Sequence, residues 1–211
     1  GVEDRVSNVN AIFDLPYSIL DLRQAGGAMA EARRVSEIRT LNVAKDLRGM
    51  SLLAVDTGSK LGEIRDAIIQ PTEGRVMGAV VRTLDDDELR LRIGDIIIGQ
   101  DAVMTSWESF EHAGARAIEM AGGVRAIDEM VGSNVVTEDG ELLGRISEIY
   151  IRVDKPQAVY RVTESRIQKL FGGGFFLPGD AARSYSPDGA RMIVPADTEG
   201  RYAASSLADA L

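Results

Sequence analysis

The chain has 211 residues, 45% of them apolar and 27% charged, with 33 acids against 24 bases and a net charge of −9. It has no cysteine and one histidine, His112, which excludes disulfides, thiolate nucleophiles and cysteine-ligated metals and leaves little for Ser-His-Asp chemistry. The acidic balance disfavours direct nucleic-acid contact, and no stretch nears the roughly 20 apolar residues that span a bilayer.

The chain starts at Gly1, not Met, which leaves room for a signal peptide or membrane anchor upstream. Residues 1–45 carry six acids and six bases. Their apolar residues Leu22, Ala25, Met29, Ala32, Val35 and Ile38 recur at helical spacing, interrupted by Gly26-Gly27. This reads as a partly helical N-terminal arm.

Residues 46–112 hold 13 acids and 7 bases, and residues 113–211 hold 14 and 11. Both stretches consist of short apolar runs cut by Gly, Asp and Pro, the pattern of short strands with tight turns. Asp85-Asp86-Asp87-Glu88 reads as a hairpin turn, since it lacks calcium-loop spacing, and Leu89 to Ile93 alternate as a half-buried strand. Ala113, Ala117, Met120 and Ala121 form a modest helical stripe, so 113–130 reads as a helical linker. The partition is an arm at 1–45, β units at 46–112 and 131–198, that linker, and a tail at 199–211.

The two β units repeat each other. Gly58-Ser59-Lys60-Leu61-Gly62-Glu63-Ile64-Arg65-Asp66 matches Gly140-Glu141-Leu142-Leu143-Gly144-Arg145-Ile146-Ser147-Glu148 in Gly, Leu, Gly, Ile and the terminal acid. Downstream, Ile96-Ile97-Ile98-Gly99-Gln100-Asp101-Ala102 parallels Phe175-Phe176-Leu177-Pro178-Gly179-Asp180-Ala181. Gly58 and Gly140 fall where a hairpin needs positive φ. Gly62 and Gly144 then open the next strand at a predicted bend. The inward positions shift parity after Ile64 and after Ile146, which predicts a β-bulge at Arg65-Asp66 and at Ser147-Glu148. Bulged, bent antiparallel strands close small barrels.

These residues resemble the PRC-barrel family, named after the cytoplasmic domain of the photosynthetic reaction centre H subunit and also found in the ribosome maturation factor. The resemblance covers roughly 47–108 and 131–196. It implies an all-β fold with minor α: two tandem small barrels, a helical arm and a helical linker. It further implies a non-enzymatic bacterial adaptor without cofactor or metal, binding protein partners and forming a homodimer. The expected context is a cytoplasmic scaffold peripheral to a photosynthetic or other membrane complex at the inner membrane. The alternative is an adaptor in ribosome maturation that grips a basic ribosomal protein.

An enzyme reading ranks last. Asp56-Thr57-Gly58 is similar to the retroviral-type aspartic protease signature, in which two aspartates share a proton. The repeat, however, offers Glu138-Asp139-Gly140 at the matching turn, and Lys60 stands where such enzymes usually carry an acid. The Gly-rich run Phe171–Phe176 lacks a phosphate-loop lysine. Its aromatics, with Trp107 and Phe110 after the first unit, are the candidate partner-binding residues: Trp107, Phe110, Phe171 and Phe175.

Overall fold

Each β unit is organised by the hairpin that its Gly-x-x-Leu-Gly-x-Ile run encodes. In the computed structural model, which describes residues 39–113, 123–164, 174–201 and 203–211, Gly58 and Gly140 take φ of +71° and +93°. Those values turn β2 (Ser51–Ala54) back into β3 (Lys60–Gln70), and β9 (Asn134–Thr137) back into β10 (Leu142–Arg152). Residues 1–38 of the arm expected at 1–45, residues 114–122 of the linker expected at 113–130, and residues 165–173, Phe171 among them, lie outside the described residues.

The strands continue as β4 (Arg75–Thr83), β5 (Glu88–Arg92), β6 (Ile96–Ile98) and β7 (Ala102–Thr105) in the first unit. The second unit has β11 (Gln157–Glu164), β12 (Phe175–Pro178), β13 (Ser184–Tyr185) and β14 (Arg191–Val194). Both units share one topology. A meander β2-β3-β4-β5 is extended by β7 parallel to β2 and β6 antiparallel to β7, and β9-β10-β11-β12 with β14 and β13 repeat it. No described pairing joins β5 to β6 or β12 to β13, so neither unit closes its ring of strands. The hairpin turn at Asp85–Asp87 is observed, with Asp86 at φ +68°.

The register slips between Ile64 and Asp66 and between Ile146 and Glu148, the bulges that the parity shift predicts. The second glycine of each run has a different cause from the expected bend. A Cβ on Gly62 would lie 2.3 Å from the Arg82 carbonyl oxygen, and one on Gly144 would lie 2.2 Å from that of Thr163. Neighbouring backbone passes too closely there for any side chain.

The two units are interlocked. Strand β1 (Thr40–Asn42), ahead of the first unit, pairs with β10 of the second, Asn42 opposite Tyr150. Strand β8 (Arg125–Ala126), ahead of the second unit, pairs with β3 of the first, Ala126 opposite Ile68. Each exchanged strand returns to its own unit through one helical turn: Val43–Leu47, or α2 (Ile127–Met130). The first has one residue more and closes as a π-turn, Arg48 N–H to Val43 O at 2.9 Å, whereas Val131 N–H closes an α-turn on Ile127 O at 3.2 Å. Both turns bury their first and last residues.

At the centre, β4 meets β11 at Arg75 and Gln157, flanked by reciprocal bonds from Val76 N–H to Pro156 O and from Ala158 N–H to Gly74 O. One apolar cluster runs through both units, from Leu41 and Leu52 to Tyr160 and Val194. The described helices are short: α1 (Trp107–Glu111), α2 and α3 (Thr198–Arg201).

Candidate protein-docking face

The strands β2, β7 and β6 carry apolar residues on both faces. Leu52, Ala54, Val103 and Ile96 point into the core. Two-residue alternation then turns Leu53, Met104 and Ile97 outward, and the register sets them in one row, Leu53 beside Met104 and Met104 beside Ile97. Val55 extends this face: its N–H donates to Thr105 O, continuing the β2–β7 ladder. Ile97 is 69% and Val55 62% exposed.

Trp107 follows β7 by two residues, at the start of α1. Ser106 caps the helix by accepting from Ser109 N–H at 3.1 Å. The Asp56 carboxylate accepts from Trp107 N–H at 3.2 Å, which ties the β2–β3 turn to the helix start. The aspartate of the protease-like signature thus serves as a backbone cap. Trp107 is 40% exposed. Its ring lies 6.2 Å from that of Phe110, which packs against the core.

The structure therefore brings Trp107 and Phe110 together and sets Phe175 apart. Phe175 lies in β12 of the second unit, 8% exposed, so it is a core residue and not an accessible contact. Its neighbour Phe176 meets Tyr150 edge-on at 5.9 Å. Sequence reasoning missed Leu53, Val55, Ile97 and Met104. The available signal was the inward parity of Leu52, Ala54 and Val103, which leaves their apolar neighbours pointing out. His112 is exposed, its Nδ1 2.8 Å from Glu108 O.

Electrostatics concentrate where the units exchange strands. Glu148, at the second bulge, is paired with Lys45 of the π-turn, with Arg161 at 2.8 Å and with the Tyr150 hydroxyl at 2.9 Å. These bonds, Lys45 first, pull its pKa down to about 2. Asp66, at the first bulge, accepts from Ala67 N–H and from Asp128 N–H at the start of α2, both at 2.9 Å, with Arg48 at 3.6 Å. It is 4% exposed, and burial pushes its pKa above the ordinary carboxylate value.

Surface cavities of about 380 and 410 Å³ flank the β4–β11 joint. The first is lined by Arg152, Asp180 and Leu211, the second by Arg75, Ile93 and Pro156. Among the described residues no group of acids and histidine could hold a metal ion, and no helix is long and apolar enough to cross a membrane.

No curated protein matches the chain. Among solved structures, a putative 16S ribosomal RNA processing protein RimM from Pseudomonas aeruginosa is similar at 13% identity, over 76% of this chain and 99% of that one. Its TM-score is 0.29, a likeness that carries no argument. The PRC-barrel domain model matches residues 41–106 and 122–201, most of the chain and both of the interlocked repeats. The chain therefore belongs to the PRC-barrel domain family, as a tandem of two such domains.

Proposed function

We infer that this protein is a non-enzymatic adaptor that holds a protein partner against the outer face of β2, β7 and β6. The observation that supports this most is the exposed set Trp107, Val55 and Ile97 at one end of the first unit. Ordered apolar side chains gathered on one rigid face suit a partner surface. The partition into barrels at 46–112 and 131–198 belongs to this reading, as does peripheral attachment to a membrane complex such as a photosynthetic one.

A ribosome-maturation adaptor gripping a basic ribosomal protein is the second reading. It is favoured by Asp95, Asp101, Glu108 and Glu111 in the segment that carries β6, β7 and α1, whose negative charge complements a cationic partner.

The test is affinity purification of tagged wild type and Trp107→Ala from native lysate, with mass spectrometry of soluble and membrane fractions. A specific partner should weaken roughly thirtyfold with Trp107→Ala, the effect of losing a central aromatic anchor. Membrane-complex subunits support the first context and ribosomal proteins the second. Recovery of the protein alone would overturn both.

A further inference from the structure

We propose that the cavity between Ile93 and Pro156 binds a small monocarboxylate with an apolar body, held by both units at once. The site arises from a break in the internal symmetry of the joint. Val76 N–H donates to Pro156 O and Ala158 N–H donates to Gly74 O, so Gly74, just before β4, corresponds to Pro156, just before β11. The short helical turns Ile93–Asp95 and Gly179–Ala181, which follow β5 and β12, correspond as well. The contact of Gly74 with Gly179 therefore has its counterpart at Pro156 and Ile93.

The two positions are filled differently. Gly74 and Gly179 meet backbone to backbone: a Cβ on Gly74 would lie 2.3 Å from Gly179 Cα, and one on Gly179 would lie 2.6 Å from Gly74 Cα. Only glycines allow that approach. At the counterpart a pyrrolidine ring and a branched side chain take their place, and a cavity of about 410 Å³ opens there. That volume lies within the roughly 300–1,000 Å³ of small-molecule sites.

The wall is apolar and comes from both units, Val76 and Ile93 from the first and Pro156 from the second. The polar groups at the rim divide into committed and uncommitted ones. Arg75 is bonded to Glu73 and to Gln70 Oε1, both at 3.0 Å, and Gln70 Nε2 donates to Glu73 at 2.8 Å, a closed set in which the two charges cancel. Lys155 and Gln157 also line the cavity. Among the described residues neither of their side chains enters a hydrogen bond or an ion pair. An ammonium and an amide N–H beside an apolar wall offer donors to the two oxygens of one carboxylate. A cationic ligand would meet Lys155 with Glu73 already engaged. The cavity of about 380 Å³ that shares Lys155 and Gln157 is bordered by Arg152, Asp180 and Asp209, charges of both signs, and serves as the control site.

Decanoate is the probe, with decyltrimethylammonium as its charge-reversed control. Binding to the full chain is read by calorimetry and by amide shifts in two-dimensional NMR. Decanoate should bind, shift the amides of Val76 and Gln157, and raise the melting temperature. Lys155→Glu, an exposed substitution, should weaken it at least about tenfold, the effect of losing a charge-assisted hydrogen bond. Ile93→Trp, which fills the cavity and leaves Lys155 in place, should weaken it as much. Melting curves check that the variants fold, and Gln157→Glu replaces Ile93→Trp if that one does not. Equal binding of decyltrimethylammonium, no binding of decanoate, or binding unchanged by Lys155→Glu would each overturn the proposal. So would binding kept by Ile93→Trp and lost with Asp180→Arg, since the ligand would then sit in the control site. The docking face is tested separately, by Trp107→Ala and a protein partner, so the two readings can fail independently.

Discussion

The two units share a topology but use their matching acids in opposite ways. At the first joint the short Asp66 carboxylate sinks beneath the bulge and holds backbone N–H groups, capping the start of α2. At the second, the longer Glu148 reaches outward, and its partners are the side chains of Lys45, Arg161 and Tyr150. The connecting turns differ as well, one π and one α, because the first carries one extra residue. The same repeat position thus yields a buried acceptor of backbone donors in one copy and a charge-paired clasp in the other. One methylene and one inserted residue are enough to separate them.

The largest effect should come from testing what the copies have in common. Gly62→Val and Gly144→Val each drive a Cβ into a backbone carbonyl, at 2.3 and 2.2 Å, and rigid backbone cannot yield. Each should cost roughly 3 kcal/mol or more in urea unfolding followed by Trp107 fluorescence. A second unit that tolerated its valine would break the equivalence of the repeats.

The joints come next. Asp66→Ala leaves two backbone donors without their acceptor, and should cost about 2–4 kcal/mol. Glu148→Gln keeps the shape and removes the charge, and should cost about 1–2 kcal/mol. Their pH dependences sharpen the contrast. Glu148 has a depressed pKa, so its stabilisation is present above its ordinary 4.5 and is lost as pH falls toward about 2. Asp66 has a raised pKa, so its contribution is fullest below its ordinary 3.8 and declines as pH rises through the folded value. Unfolding free energies measured across the acid range should show the gap between wild type and Glu148→Gln shrinking toward low pH. The Asp66→Asn comparison should move in favour of wild type.

A smaller effect tests how the copies fill each other. Tyr160 and Ala79 hold matching positions, and both are buried. The tyrosine hydroxyl reaches across to donate to Pro71 O in the β3–β4 turn at 3.2 Å, and burial raises its pKa well above the usual phenol value. Tyr160→Phe should cost about 1 kcal/mol by thermal unfolding. A variant at wild-type stability would mean the hydroxyl adds nothing to the joint.

Much of this was legible in local pattern. Glycine at the turns, the parity shift at Asp66 and Glu148, and the acidic hairpin at Asp85–Glu88 each follow from constraints that act within a few residues, so the repeat and its bulges could be read directly. The docking face was only half legible. Trp107 and Phe110 stand out as aromatics, but Phe175 looks equally available until β12 is placed in the core. Ile97 is hidden in a run of three isoleucines, where composition does not say which one faces out.

The sequence by itself determined that this chain carries two copies of one β unit, bent at the same places, because turn geometry, strand parity and the glycine requirement are local. Only the tertiary structure decided that β1 and β8 trade units. Two- and three-residue strands bear no recognisable periodicity, and their partners lie about a hundred residues away for β1, in β10, and nearly sixty for β8, in β3. It likewise decided which edge stays open, since an edge is defined by the absence of a neighbour and no residue in β6 encodes that absence.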